Sequence, residues 1–248
     1  MTAPTQARPV VLVSGAARRI GAVIAQTLHA AGHDLALHCR NSRDDLDQLI
    51  AKLERERANS TLALQADLSD LTQMLALIEA TMQRFGRLDG LVNNASDFFA
   101  TAFGSVTSEQ WDRLFASNAR APFFLAQAAA PQLKKTGGAI VNLLDIYAER
   151  PLAGHSVYCM AKAAQAAMTH ALALELGPEV RVNGVAPGAV MWPEADSDAA
   201  HRAKIIERTP LKRTGQPAEI ADAVLWLLRD ARFVTGQIIR VDGGRFFA

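Results

Sequence analysis

The sequence predicts a single α/β domain of the doubly wound Rossmann type, a seven-stranded parallel sheet with helices on both faces. Three observations predict it. Short apolar runs alternate with helical segments along the whole chain, those runs lack the polar–apolar alternation of a half-exposed sheet, and a glycine-bearing turn joins the first run to the first helix. Strands buried on both faces read as near-continuous apolar runs, and strand–helix alternation implies a parallel sheet covered on both sides. With 248 residues and 50% apolar content the chain suits one domain, residues 9–248, behind a disordered tail of residues 1–8.

The elements follow in order. Val10–Ser14 is the first strand and Ile20–Ala31 the first helix; between them lies Gly15-Ala-Ala-Arg18-Arg19-Ile20-Gly21. A turn of this kind cradles phosphate in dinucleotide folds, because its backbone N–H groups and the helix N-terminus face the pyrophosphate. Asp34–His38 is the second strand, Asp44–Arg57 an amphipathic charged helix, Thr61–Gln65 the third strand and Leu71–Phe85 a helix. Gly90–Asn93 is the fourth strand, followed by a long helix from Ser108 to about Lys135 that Gly137-Gly138 ends. Ala139–Leu144 is the fifth strand, a helix from about His155 to Glu175 follows, and Arg181–Ala186 is the sixth strand, broken by Pro187-Gly188. Residues 189–209 have little pattern and read as a loop with a short helix covering a substrate. They include Met191-Trp192-Pro193 and acidic Glu194, Asp196 and Asp198. Pro217–Leu228 is a helix with proline in its first turn, and Ile238–Asp242 the seventh strand.

Composition narrows the function. Lys and Arg number 26 against 25 Asp and Glu, so neither nucleic acid nor a membrane surface is indicated as partner, and a small molecule is. The only cysteines, Cys39 and Cys159, have no metal-ligand spacing and read as packing residues, which suits a reducing compartment, the cytoplasm.

The end of the second strand selects the cofactor. An acidic residue there binds a ribose 2′-hydroxyl, whereas a basic one accommodates a 2′-phosphate. This chain has His38-Cys39-Arg40-Asn41-Ser42-Arg43. With Arg18 able to approach the same phosphate, the expected cofactor is NADPH. Asp67 and Leu68, at the end of the third strand, are placed to hold an adenine, and the small and amide residues Asn94, Ala95 and Ser96 allow close approach to a ligand. Phe98 and Phe99 are either a lid packed on the core or a platform for a flat ring.

The chemistry centres on Asp145 to Lys162. Tyr158 and Lys162 stand four residues apart, on one helical face. The phenol is a candidate general acid, and the neighbouring ammonium is expected to lower its pKa. Asp145 sits at the carboxyl end of a strand, where parallel sheets place chemistry.

Taken together, Gly15-x-x-x-Arg19-x-Gly21, Asn93-Asn94-Ala95, Asn118, Tyr158-x-x-x-Lys162, Pro187-Gly188 and Val241-Asp-Gly-Gly244 resemble the short-chain dehydrogenase/reductase family over essentially the whole chain. The family pattern has Ser in place of Asp145 and Gly in place of Arg19. Both departures, with Ser96-x-Phe98, are similar to its pteridine reductase branch. That resemblance implies NADPH-dependent reduction of a C=N bond in a dihydropterin or dihydrofolate. It implies a pterin stacked against Phe98, with Ser96 and Arg19 on its polar edge, Trp192 lining the pocket, and Tyr158 bonded to Asp145 as proton donor. Lys162 would hold the nicotinamide ribose, Pro187 and Gly188 would flank the cofactor, and Asn118 would support a water chain behind Lys162. A homotetramer built through the two long helices is also implied, with Arg245 a candidate contact to a partner's active site. A ketone reductase of the 3-oxoacyl type and a non-catalytic NADPH-binding sensor stay open.

Overall fold

The structure, a computed structural model, describes residues 8–192 and 198–248. Residues 1–7 of the expected tail of residues 1–8, and Pro193, Glu194 and Asp196, lie outside the described residues.

Seven parallel strands form one sheet in the order β3-β2-β1-β4-β5-β6-β7. They are β1 (Val10–Val13), β2 (Asp34–Cys39), β3 (Thr61–Gln65), β4 (Gly90–Asn93), β5 (Ala139–Leu143), β6 (Arg181–Pro187) and β7 (Ile238–Val241). Alternate residues of one strand feed opposite layers. Val11 and Val13 pack with α1 (Arg19–Ala30), α2 (Arg43–Glu56) and α8 (Pro217–Arg229), whereas Leu12 packs with α3 (Leu71–Phe85), α5 (Ala121–Thr136) and α6 (Ser156–Leu176). Both layers are apolar, so no strand needs a polar face. Truncating a buried leucine in either layer to alanine would cost about 2–5 kcal/mol.

The order reverses between β1 and β4, and the carboxyl ends of the strands open there into a crevice, the ligand position of an open α/β sheet. Expected and observed boundaries agree to within about a residue, with one exception. The long helix expected from Ser108 to Lys135 is α4 (Ser108–Phe115), a π-helical turn at Ala116–Arg120, and α5. Pro122 explains the break. It has no N–H for the carbonyl four residues back, that of Asn118, and its ring crowds that carbonyl. The turn widens, Ala121 N–H reaching the Ala116 carbonyl five residues back. Asn118 is thereby presented sideways from a helix interior. Residues 189–209 contain α7 (Ala199–Arg208), N-capped by Asp198, whose carboxylate accepts from His201 N–H.

Candidate active site

A cleft of about 1220 Å³ runs along the carboxyl ends of the strands. It is lined by every sequence-predicted site residue except Asn118.

One end is built around the turn after β1. Gly15 has φ +65°, and a Cβ there would meet Ala95 Cα at 2.9 Å; a Cβ on Gly21 would lie 2.1 Å from the Gly15 carbonyl oxygen. No side chain larger than hydrogen fits either place. Asn94 locks the turn, its side-chain amide donating to the carbonyls of Ser14 at 3.0 Å and Gly15 at 2.8 Å. The first turn of α1 has no acidic residue and no side-chain cap, which leaves its leading N–H groups for an anion. His38 braces the turn from the end of β2. Gly15 N–H donates to its Nδ1 at 3.2 Å and its Nε2 donates to the Ala66 carbonyl at 3.1 Å, while burial pushes its pKa down and keeps the ring neutral. Arg40 projects from the end of β2 with a carboxylate oxygen of Asp97 3.5 Å away, and Arg18 pairs with Asp45 at 2.5 Å. Asp67 accepts from Ser69 N–H, a bond that holds its carboxyl below the usual range. This end fits a dinucleotide: a backbone cradle for the phosphates, with basic side chains at the tip of β2.

Arg19 occupies a left-handed conformation, φ +53°. That is the conformation glycine adopts without cost, the residue this position was expected to hold from the family pattern. Its guanidinium donates to the Trp192 carbonyl at 3.1 Å, tying the turn to the residues that follow β6.

At the other end, both carboxylate oxygens of Asp145 are engaged. Oδ1 accepts from Tyr147 N–H at 2.9 Å and starts a short 3₁₀ turn, while Oδ2 accepts from the Tyr158 hydroxyl at 2.9 Å. The expected lowering of the Tyr158 pKa is overturned. Burial, followed by the charge and hydrogen bond of Asp145, raises it well above the usual phenol range. The ammonium of Lys162 does not oppose this. It lies 6.0 Å from the Tyr158 ring centroid and donates instead to the Leu143 carbonyl at 2.8 Å and Gln165 Oε1 at 3.0 Å. Burial lowers the Lys162 pKa to about 8 and raises that of Asp145.

Asn118 is fully buried behind the cleft. Its amide donates to the carbonyls of Asp97 at 2.9 Å and Leu114 at 3.0 Å, and its oxygen accepts from the Ser96 hydroxyl at 2.6 Å. It thus braces the Ser96–Phe98 loop and makes no direct bond to Lys162. Phe98 is half exposed, stacked on His155 with centroids 4.7 Å apart and edge-on to Tyr158 at 4.8 Å.

Sequence reasoning missed four groups. Asp97 bridges Arg40 and Arg113. His155 backs Phe98, Gln165 holds Lys162, and Tyr147 accepts a hydrogen bond from Arg245 at 3.0 Å. Arg245, the candidate contact to a partner's active site, lines the cleft of its own chain. Only Tyr147 had a local signal, its N–H falling two residues after a strand-end aspartate, as an Asx turn requires.

Fold and cleft together define a dinucleotide-binding oxidoreductase. A family model described as enoyl-(acyl carrier protein) reductase matches residues 15–245. Pteridine reductase 1 of Leishmania tarentolae is 36% identical, over 98% of this chain and 97% of its own length. The 3-oxoacyl-(acyl-carrier-protein) reductase FabG of Staphylococcus aureus is 32% identical, over 95% and 97%. The short chain dehydrogenase mdpC of Emericella nidulans is 33% identical, over 98% and 99%. The chain belongs to the short-chain dehydrogenase/reductase family, whose members use NAD(P)(H) to act on small molecules. Among the described residues no helix is long and apolar enough to cross a membrane.

Proposed function

We propose that the protein is an NADPH-dependent pteridine reductase acting on the C=N bond of a dihydropterin or dihydrofolate. The observation that carries the reading is the Asp145–Tyr158 hydrogen bond at 2.9 Å, set beside the half-exposed ring of Phe98. A pterin is flat and presents ring N–H donors, which a carboxylate accepts and a simple ketone lacks. Phe98 offers the flat surface and Arg19 a cation at the rim. Similarity to a pteridine reductase supports the same reading.

Reduction of C=N places a hydride on carbon and a proton on nitrogen; the bound cofactor supplies the hydride. The glycine turn, Asn94 and Arg40 would hold the phosphates, Pro187 and Gly188 would flank the nicotinamide end, and Lys162 would hold its ribose. Tyr158 keeps its proton throughout the neutral range because burial and Asp145 raise its pKa, so it arrives at the nitrogen as an intact donor. Asp145 orients that hydroxyl and stabilises the donor until transfer. Arg40, with Asn41 and Ser42 beside it, supports NADPH over NADH. Trp111, Phe123 and Met160 leave apolar surface exposed on α4, α5 and α6, which supports a homotetramer through those helices. Two free, buried cysteines support a reducing compartment, the cytoplasm.

A ketone reductase is the second reading, favoured by similarity to a 3-oxoacyl reductase. NADPH oxidation with dihydrobiopterin, dihydromonapterin, dihydrofolate and a ketone panel in parallel, with NADH as control, separates the two. Pterin turnover that disappears in Asp145→Ala supports the first; turnover of ketones alone rejects it.

A further inference from the structure

An ammonium has three N–H donors. On Lys162, two of them go to acceptors inside the protein: the Leu143 carbonyl at the end of β5, at 2.8 Å, and Gln165 Oε1 one helical turn along, at 3.0 Å. Lys162 is 2% exposed and Gln165 1%, so neither bond competes with bulk water. Yet Lys162 lines the cleft. The remaining N–H is the one that faces a ligand.

Gln165 sits on a rigid base. Its own carbonyl accepts from the Thr169 hydroxyl at 2.9 Å, Thr169 accepts from the Asn142 amide at 2.9 Å, and Asn142 accepts from the Asn93 amide at 2.9 Å. These side chains are all buried, so α6 is cross-linked by polar side chains to β5 and β4 directly behind Lys162. Side-chain networks of this kind specify one arrangement, because any unmade bond leaves a buried polar group unpaired.

We propose that Gln165 is a positioning residue for the Lys162 ammonium, fixing its orientation so that a single N–H is directed at the cofactor ribose. The proposal rests on the reductase reading of the cleft. A neutral amide at this place has a consequence that a carboxylate would not. It holds the ammonium by a dipole while letting burial weaken the charged form, in keeping with a Lys162 pKa of about 8. The charged and titratable groups around Lys162 are Asp145 at the end of β5, whose charge favours the ammonium, and Tyr158 on the same helix. Arg245 acts on Asp145 from the C-terminal turn.

The test compares Gln165→Met and Gln165→Glu with wild type by three readouts. The first is the NMR titration of the Lys162 side chain in cofactor-free protein, the second the affinity for NADPH by fluorescence, and the third the alkaline limb of the kcat profile on the best substrate found. Gln165→Met should titrate Lys162 at lower pH, weaken NADPH binding about tenfold and move the alkaline limb down. Gln165→Glu should move titration and limb upward and retain binding. Unchanged Lys162 titration in both variants overturns the proposal, and so does a loss of thermal stability with titration and binding intact, which would mark Gln165 as structural only. Failure of the pterin reading shows separately: wild type would then turn over ketones alone, while the titration and binding of the variants still decide the role of Gln165.

Discussion

The Tyr158 hydroxyl donates to the Asp145 carboxylate across 2.9 Å, with Tyr158 buried and Asp145 half-buried at the same end of the cleft. The pairing sets the Tyr158 proton apart from solvent and raises the pKa of the phenol. A donor so poised is useful only if a substrate base comes within reach, and the pairing therefore makes a kinetic prediction. Tyr158→Phe should lower kcat for dihydropterins by about 10²–10⁴ while NADPH affinity stays within a few-fold. Asp145→Asn should lower kcat by a smaller factor, since the amide keeps the bond to Tyr147 N–H but loses the charge. Single-turnover rates together with fluorescence titration of NADPH check both; a Tyr158→Phe enzyme with unaltered kcat rejects the donor role.

Arg40 stands 3.5 Å from Asp97, a separation that lets it turn toward a phosphate. Arg40→Leu should cut kcat/KM with NADPH about ten- to hundredfold, the worth of a charge-assisted bond, and leave NADH nearly untouched. The ratio of the two cofactors' kcat/KM is the measurement. Equal losses with both would place Arg40 outside the 2′-phosphate site.

Arg19 makes opposed demands on stability and binding. Its left-handed backbone, φ +53°, costs about 1–2 kcal/mol relative to glycine, of which the greater freedom of unfolded glycine takes back about 0.4–1. Arg19→Gly should therefore leave stability unchanged or raise it by up to about 1.6 kcal/mol. The pterin KM should rise about tenfold, because the substrate loses a charged donor. Denaturant midpoints and steady-state kinetics on the same preparation settle it, and a destabilised variant with normal KM would contradict both halves.

Lys162 gives the folded state a pH signature. Its pKa is about 8 when folded against 10.5 for the ordinary side chain. Below pH 8 both states hold the proton, and the folded state bears the full cost of a buried ammonium. Between the two values the unfolded chain binds more protons, so folding gains stability as pH rises, on the order of 3 kcal/mol from this group. The difference in unfolding free energy between wild type and Lys162→Met should accordingly grow in favour of wild type across that window. A flat difference would mean that the ammonium is not desolvated in the cofactor-free protein.

Much of this molecule was legible in one dimension, for physical reasons that can be named. The strands were visible because burial on both faces makes β1 wholly apolar and leaves β2, β4, β5 and β6 mostly apolar. The turn was visible because only glycine fits at Gly15 and Gly21, one with a positive φ and the other against the Gly15 carbonyl. Tyr158 and Lys162 were visible because a helix brings residues four apart onto one face. These are local constraints, and sequence records local constraints directly.

The rest depended on which atoms meet across the sheet. The destination of the Asn118 side chain needed the Ser96 loop to fold over it. The expected lowering of the Tyr158 pKa failed for the same reason. A Tyr and a Lys one turn apart are neighbours in sequence, but burial and Asp145 raise the Tyr158 pKa, and two of the three Lys162 N–H groups go to Leu143 at the end of β5 and to Gln165. Sequence by itself thus determined a Rossmann-type domain of the short-chain dehydrogenase/reductase family and many of the groups that line its cleft. Tertiary structure alone decided their partners and protonation, because hydrogen-bond geometry and desolvation are set by side chains that lie far apart along the chain.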